Sequence, residues 1–326
     1  MIHSKSEGDI YIEEMPLLLV HLREEEKGAD ARLSEVLSYA LDGYAYETAT
    51  EISAFEDYVN RWRRLEKTQN RKNPVQGRIL FAVPLGTSGI NLELYRLIRF
   101  LREHPDFLNG FVGGLLVDSE NDLYSKSAAK DLVFAANCAG CAFVGRPLVE
   151  GTRTLSNYTI VSNNLGTDLM GAYRESAAGL VKEVLGTDCV RKKCPKVLVL
   201  HASSHKTSNT YAIWNRVKEQ LPEMEIREIG LRNGTLSDCA GCPYKMCLHF
   251  GEQGSCFYGG VMVEDVYPAV READAIVMLC PNYNDALSAN LTAFINRLTS
   301  LFRTTRFYDK ALFAVAVSGY SGSDIV

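Results

Sequence analysis

Within 326 residues, no apolar run approaches the roughly 20 residues that a membrane-spanning helix needs. The opening text, MIHSKSEGDIYIEE, lacks the basic start and apolar core of a secretory signal. A basic excess is missing too: 35 Lys and Arg stand against 40 Asp and Glu, a formal charge of −5. The charge runs that occur, Glu24–Lys27 and Arg191–Lys193, are short and read as solvated surface. A nucleic-acid track rewards clustered cations, so none is expected. No Ser/His/Asp set and no carboxylate pair stands at a useful spacing, so no side chain is expected to act as nucleophile, acid or base. Cysteine is not scarce, but nine in a chain of this kind read as reduced thiols or metal ligands, not as a disulfide framework. The expectation is a soluble, cytoplasmic protein of two domains, with 46% hydrophobic and 23% charged residues.

From residue 78 the text alternates apolar runs with helical periodicity, the grammar of βαβ units and a parallel sheet. RILFAVPL reads as a strand, Leu92–Arg102 as a helix, Phe111–Val117 as a strand, Ser127–Asn137 as a helix and Cys141–Gly145 as a short strand. Before it lie a strand candidate at Pro16–Leu22 and helix candidates at Arg32–Leu41 and Ile52–Leu65. Thr68–Gly77 is a polar linker with Pro and Gly punctuation. The expected divisions are therefore 1–75, an N-terminal α/β segment packing on the first domain, then 76–190, then 195–326. Arg78–Asn91 and Lys196–Asn209 both read strand, loop, then Asn at a helix start, which suggests a tandem of related domains. Chance alignment of two α/β segments is the alternative.

KVLVLHASSHKTSNT, Lys196–Thr210, is the densest signal. Lys196–His201 fits a buried parallel strand. The loop after it is rich in hydroxyls and carries His205 and Lys206. Ile213, Val217 and Leu221 then mark one apolar helix face. Unpaired N–H groups and the dipole of a helix start attract an anion. A plain βα turn with a Ser/Thr cap reads the same stretch equally well. Downstream come a strand at Met224–Leu231, a helix at Val263–Arg271, a strand at Asp274–Cys280, a polar loop opening a helix over Pro281–Leu298, and a strand ending in a Gly/Ser loop over Ala311–Gly322. Three loops at the carboxyl ends of parallel strands converge on one crevice.

That order of motifs resembles the flavodoxin-like NAD(P)H-dependent FMN reductase family over about 196–326: SSHKTSNT, a cysteine-bearing segment, Pro281 and Tyr283 at a strand end, the Phe294–Arg297 helix core, and Gly319 and Gly322. The resemblance implies an α/β fold of tandem flavodoxin-like, doubly wound parallel sheets, the upstream one without flavin loops. It implies that Ser203, Ser204, His205, Lys206, Thr207, Ser208, Asn209 and Thr210 hold the FMN phosphate. Pro281, Asn282, Tyr283, Asn284 and Asp285 would border the ring and ribityl chain, and Ser318, Gly319, Tyr320 and Gly322 the other ring edge. The implied activity is hydride transfer from NAD(P)H to flavin N5 and on to a small-molecule acceptor, in a homodimer. An electron carrier without a nicotinamide site and a flavin-free binding module are the rival readings. Asn296 departs from the family pattern, where Asp is usual, and His205-Lys206 replaces a more typical basic pattern. The text after Gly322 stops short of the helix and fifth strand of such a sheet, so the C-terminal sheet is expected to lack its last strand and helix.

Cys239, Cys242, Cys247 and Cys256 form C-x2-C-x4-C-x8-C. Thiolates so spaced can wrap one metal or cluster. A [4Fe–4S] cluster, a zinc ion and unmetallated thiols are the three readings, with His249 a further ligand candidate. Cys138 and Cys141, Trp214 and His201 are expected in core or rim positions, and Arg297 in a salt bridge.

Overall fold

Alternate residues of the central strands face opposite ways, and both faces are apolar, so each sheet needs a helical layer on either side. In a computed structural model that describes residues 15–23, 27–69, 75–189, 192–203, 208–232, 234–307 and 309–319, the chain divides into Met1–Val190 and Arg191–Val326.

The first unit runs β1 (Leu17–His21), α1 (Lys27–Ala40), β2 (Tyr46–Ala49), α2 (Ile52–Gln69), β3 (Gly77–Leu85), α3 (Leu92–Glu103), β4 (Phe111–Ser119), α4 (Ser125–Cys138), β5 (Ala142–Gly151), a 3-10 turn at Ser156–Tyr158, α5 (Thr159–Leu165) and α6 (Leu169–Gly186). Its sheet has the order β2-β1-β3-β4-β5, all parallel, the flavodoxin-like order. One core joins Leu18, Val20, Ile79 and Phe81 to α2, α3 and α4. The other joins Leu17, Leu19, Leu80 and Ala82 to α1 and α6. The segment before residue 75 therefore does not pack on a domain that starts at 76; its β1 and β2 complete that domain's sheet.

The second unit runs β6 (Lys196–His201), α7 (Asn209–Lys218), β7 (Glu225–Gly230), α8 (Tyr244–Glu252), a π-helical turn at Met262–Val266, α9 (Tyr267–Glu272), β8 (Ala275–Pro281), α10 (Ala289–Leu301) and β9 (Ala311–Val317). The order is β7-β6-β8-β9, again parallel. Leu198, Leu200 and Ile276 pack on α9 and α10, while Val197, Val199 and Val277 pack on Trp214 of α7. Leu312 and Phe313 of β9 are exposed. Among the described residues no helix is long and apolar enough to cross a membrane.

The two sheets correspond position by position, but not in the register that the sequence suggested. Leu18–His21 pair with Ile79–Ala82 in the first, and Leu198–His201 pair with Ile276–Leu279 in the second. The counterpart of β6 is thus β1, not β3, and β3 is the counterpart of β8. His21 and His201 end matching strands. Pro84 and Pro281 match, each two residues before a turn closed by a backbone bond, Gly89 N–H to Gly86 in one and Ala286 N–H to Tyr283 in the other. Seven residues beyond each proline stands the helix cap, Asn91 for α3 and Ser288 for α10.

Candidate functional site

Three loops follow the carboxyl ends of β6, β8 and β9, the first and third of them described only in part. At the first, Ser208 caps α7, its side chain accepting from the Tyr211 N–H at 3.3 Å. Asn209 and Thr210 open that helix, with Thr210 buried. His201 Nδ1 lies 3.2 Å from the Ser203 carbonyl oxygen, and its ring packs against Tyr211. Ser204, His205, Lys206 and Thr207 lie outside the described residues, as do Tyr320 and Gly322.

The second loop is a tight turn. Tyr283 and Ala286 exchange backbone hydrogen bonds at 3.2 Å, and the two residues between them, Asn284 and Asp285, have φ of 54° and 56°. Two consecutive left-handed residues mark a type I′ turn, which Asn and Asp tolerate better than other non-glycine residues. Tyr283 is exposed. Asn282 ties this turn to the third loop. Its backbone N–H donates to the Val317 carbonyl at 2.9 Å, and its Nδ2 donates to Ser318 Oγ at 3.2 Å and Asp285 Oδ1 at 3.3 Å. Its Oδ1 is buried and without a partner among the described residues. A Cβ at Gly319 would meet nothing within 4 Å among the described residues. The structure therefore joins the second and third predicted loops through one side chain and sets Ser208 at the helix start of the first.

Behind the first loop, Glu228 of β7 gathers three donors from α7: Tyr211 Oη at 2.6 Å, Lys218 Nζ at 2.8 Å and Trp214 Nε1 at 3.2 Å. Burial raises its pKa, but those bonds outweigh it and hold the carboxylate below its ordinary range. Sequence reading placed Trp214 in the core, where it is. Nothing in the strand pattern of Glu225–Gly230 announced that Glu228 would receive it.

The cysteine segment forms a separate cavity of about 130 Å³, lined by Cys239, Cys242, Cys247 and Cys256 together with Phe250, Tyr258, Arg297 and Arg303. Desolvation, then the neighbouring Cys242 sulfur, raises the Tyr258 hydroxyl, with Cys239 and Cys256 adding to it. Among the described residues no three His, Cys, Asp or Glu side chains converge as ligands of one ion. His249 does not line the cavity; its Nε2 lies 3.3 Å from Gln253 Nε2. Arg297 departs from expectation. It is buried and donates to two carbonyls, Gly259 at 2.8 Å and Ser237 at 3.4 Å, with no carboxylate partner among the described residues. Asn296, the departure from the family pattern, donates its Nδ2 to Asp238 Oδ1 at 2.9 Å. An Asp there would have faced Asp238 as a like charge. Cys141 is buried as expected, but Cys138 is exposed at the end of α4.

At the corresponding edge of the first unit the charges satisfy one another. Arg32 binds the buried Asp118 through three contacts of 2.6–3.1 Å, and His21 Nε2 lies 2.8 Å from Asp30 Oδ1. The segment after His21, the counterpart of the hydroxyl-rich loop, reads LREEEK. No curated protein matches the chain significantly. Residues 195–326, within the second unit of the chain, match the family described as NADPH-dependent FMN reductase.

Proposed function

We propose that the second unit binds FMN across the ends of β6, β8 and β9 and uses NAD(P)H to reduce a small-molecule acceptor. The observation that carries this reading is Asn282, which bridges two of the three loops and keeps a buried, unpartnered carbonyl oxygen. An orphaned buried acceptor costs about 1–3 kcal/mol, and a ligand N–H or hydroxyl removes that cost. The chemistry of the residues fits the cofactor. Ser203–Thr210 supply hydroxyl and amide donors with His205 and Lys206 for a phosphate dianion. The exposed Tyr283 offers an aromatic surface to a planar ring. The left-handed Asn284 and Asp285 hold the turn in a shape that an ordinary extended loop does not reach. FMN supplies the hydride-accepting chemistry when bound. The chain's residues bind and orient it, and none is required to move a proton.

The test is titration of the full chain with FMN, followed by NADPH under anaerobic conditions. Flavin fluorescence is expected to change saturably, and NADPH to bleach the bound flavin's visible bands. Asn282→Ala is expected to weaken FMN about tenfold, on the order of 1.4 kcal/mol, with an unchanged far-UV circular dichroism spectrum. A chain that leaves the flavin spectrum unperturbed defeats the proposal.

A further inference from the structure

We propose that the cavity on the cysteine segment binds a small organic carboxylate, its head held by Arg297 and Arg303 and its body against the apolar part of the wall. The site goes beyond the flavin reading and does not rest on it. The first observation is charge. Arg297 lines the cavity at 2% exposure, and its Nε is buried without a partner among the described residues. Its terminal nitrogens donate to the carbonyls of Ser237 and Gly259, which solvate the charge without cancelling it. Arg303 lines the same cavity, and its Nε is also buried without a partner there. Its guanidinium lies over the Tyr244 ring at 4.8 Å. Neither arginine has a carboxylate partner among the described residues. A buried guanidinium without a counter-ion is costly, so the two together favour an anion from outside.

The second observation is the rest of the lining. It contains no Asp or Glu. The Tyr258 phenol keeps its proton, because desolvation and then the Cys242 sulfur raise its hydroxyl; it offers a donor and no negative charge. Met246, Phe250 and Phe257 give the wall apolar and polarisable surface, to which free cysteines add small, weakly donating groups. The third observation is size. The cavity is about 130 Å³, and one of about 150 Å³ takes a single benzene. That room suits a guest of a few heavy atoms and excludes a nucleotide. A phosphate dianion needs donors around all its oxygens, whereas a carboxylate on a short hydrocarbon chain is charged at one end only. Its two oxygens match a guanidinium fork, and its chain matches the apolar wall.

The probe is sodium butyrate at fixed ionic strength, added to the full chain without FMN or NADPH. The readout is the rate at which N-ethylmaleimide labels each cysteine, resolved by peptide mass. Cys242, Cys247 and Cys256 line the cavity, while the exposed Cys138 and Cys194 lie outside its lining and serve as controls. Saturating butyrate is expected to slow labelling of the three cavity thiols severalfold and to leave the controls unchanged. n-Butanol, of similar size but uncharged, is expected to give no protection. Arg303→Gln, at the less buried of the two arginines, is expected to raise the butyrate concentration for half-protection about tenfold, with an unchanged circular dichroism spectrum. The proposal is overturned if butyrate fails to protect, which is also the outcome if ionised thiols already supply the counter-charge and repel it. Equal protection by butanol, or an unmoved half-protection point in folded Arg303→Gln, overturns it too. Inorganic phosphate protecting at lower concentration than butyrate overturns the carboxylate assignment. Labelling is read without flavin, so failure here and failure of FMN binding are distinguishable.

Discussion

Glu228 is the anchor through which β7 holds α7, the helix that follows the hydroxyl-rich loop. Three donors from α7 meet one carboxylate whose pKa lies below its ordinary value. For a group with a depressed folded pKa, the stabilisation is complete above the unfolded value and is lost as pH falls through the folded one. Lys218, raised chiefly by its bond to Glu228, keeps its contribution below the ordinary lysine range, so neutral pH holds both. Glu228→Gln is therefore expected to cost about 1 kcal/mol at pH 7, discounted for the partly exposed lysine. The difference from wild type should close below roughly pH 4. Urea unfolding of both proteins across that range checks it; a constant difference would show that the charge is irrelevant. Neighbouring residues mark the limit of what the sequence reveals at this scale. Ser208 was legible as a helix cap because its short hydroxyl side chain suits that position, and the four cysteines as neighbours because they lie close in sequence. Arg297 was not, since a buried guanidinium and a surface one look alike on an amphipathic helix. Asn296 became intelligible only once Asp238 was seen opposite it.

Among the elements, α10 links the Tyr283–Ala286 turn to the cysteine cavity. Its cap, Ser288, follows the Tyr283–Ala286 turn, and its middle, at Arg297, lines the cysteine cavity. Nine residues at 1.5 Å each separate them by about 14 Å along the axis. Opposite α10 lies α8, which carries Cys247 and closes on its partner through Gly251. A Cβ at Gly251 would stand 2.7 Å from the Ser300 carbonyl oxygen and 2.8 Å from Arg303 Cγ. Because the first of these is backbone, a side chain cannot simply swing away. Gly251→Ala is expected to cost about 1–3 kcal/mol by overpacking and to loosen the wall that holds Cys247 and Arg303. Thermal unfolding reads the cost, and an unchanged midpoint would mean that α8 can shift freely. Element reading from sequence succeeded for the long periodic segments, down to Lys196–His201 residue for residue. It missed β2, α5, α6 and α8. The strand Tyr46–Ala49 is only four residues long and lies exposed along most of its length. Within the helix expected at Val263–Arg271, the chain passes through a π-helical turn before Pro268, whose missing N–H breaks the regular ladder.

At the scale of the whole chain, the repeat was legible and its register was not. Pairing Arg78 with Lys196 matched two strands that both lead into a polar loop and a helix, which sequence pattern alone cannot tell apart. The sheet pairings distinguish them: β1 and β6 occupy the same position, and so do β3 and β8. The loop at Leu85–Ile90 thus lacks phosphate-binding character because its counterpart is the turn at Tyr283–Ala286, not the loop after His201. The true counterpart in the first unit is acidic, Glu24–Glu26, and the nearby Arg32 is already spent on Asp118. Three carboxylates repel a phosphate dianion that the second unit's hydroxyls, His205 and Lys206 would attract. FMN should therefore act on one unit alone. A ligand at a hundred times its Kd stabilises the state it binds by about 2.7 kcal/mol, and that gain must appear where the contacts are made. Hydrogen exchange with saturating FMN is expected to slow amides in α7, in the Asn282–Ser288 turn and at Val317–Gly319, and to leave β1 and α1 unchanged. Equal slowing in both units would show that the first crevice also takes flavin, and that its acidic loop and Arg32–Asp118 pair do not exclude an anion.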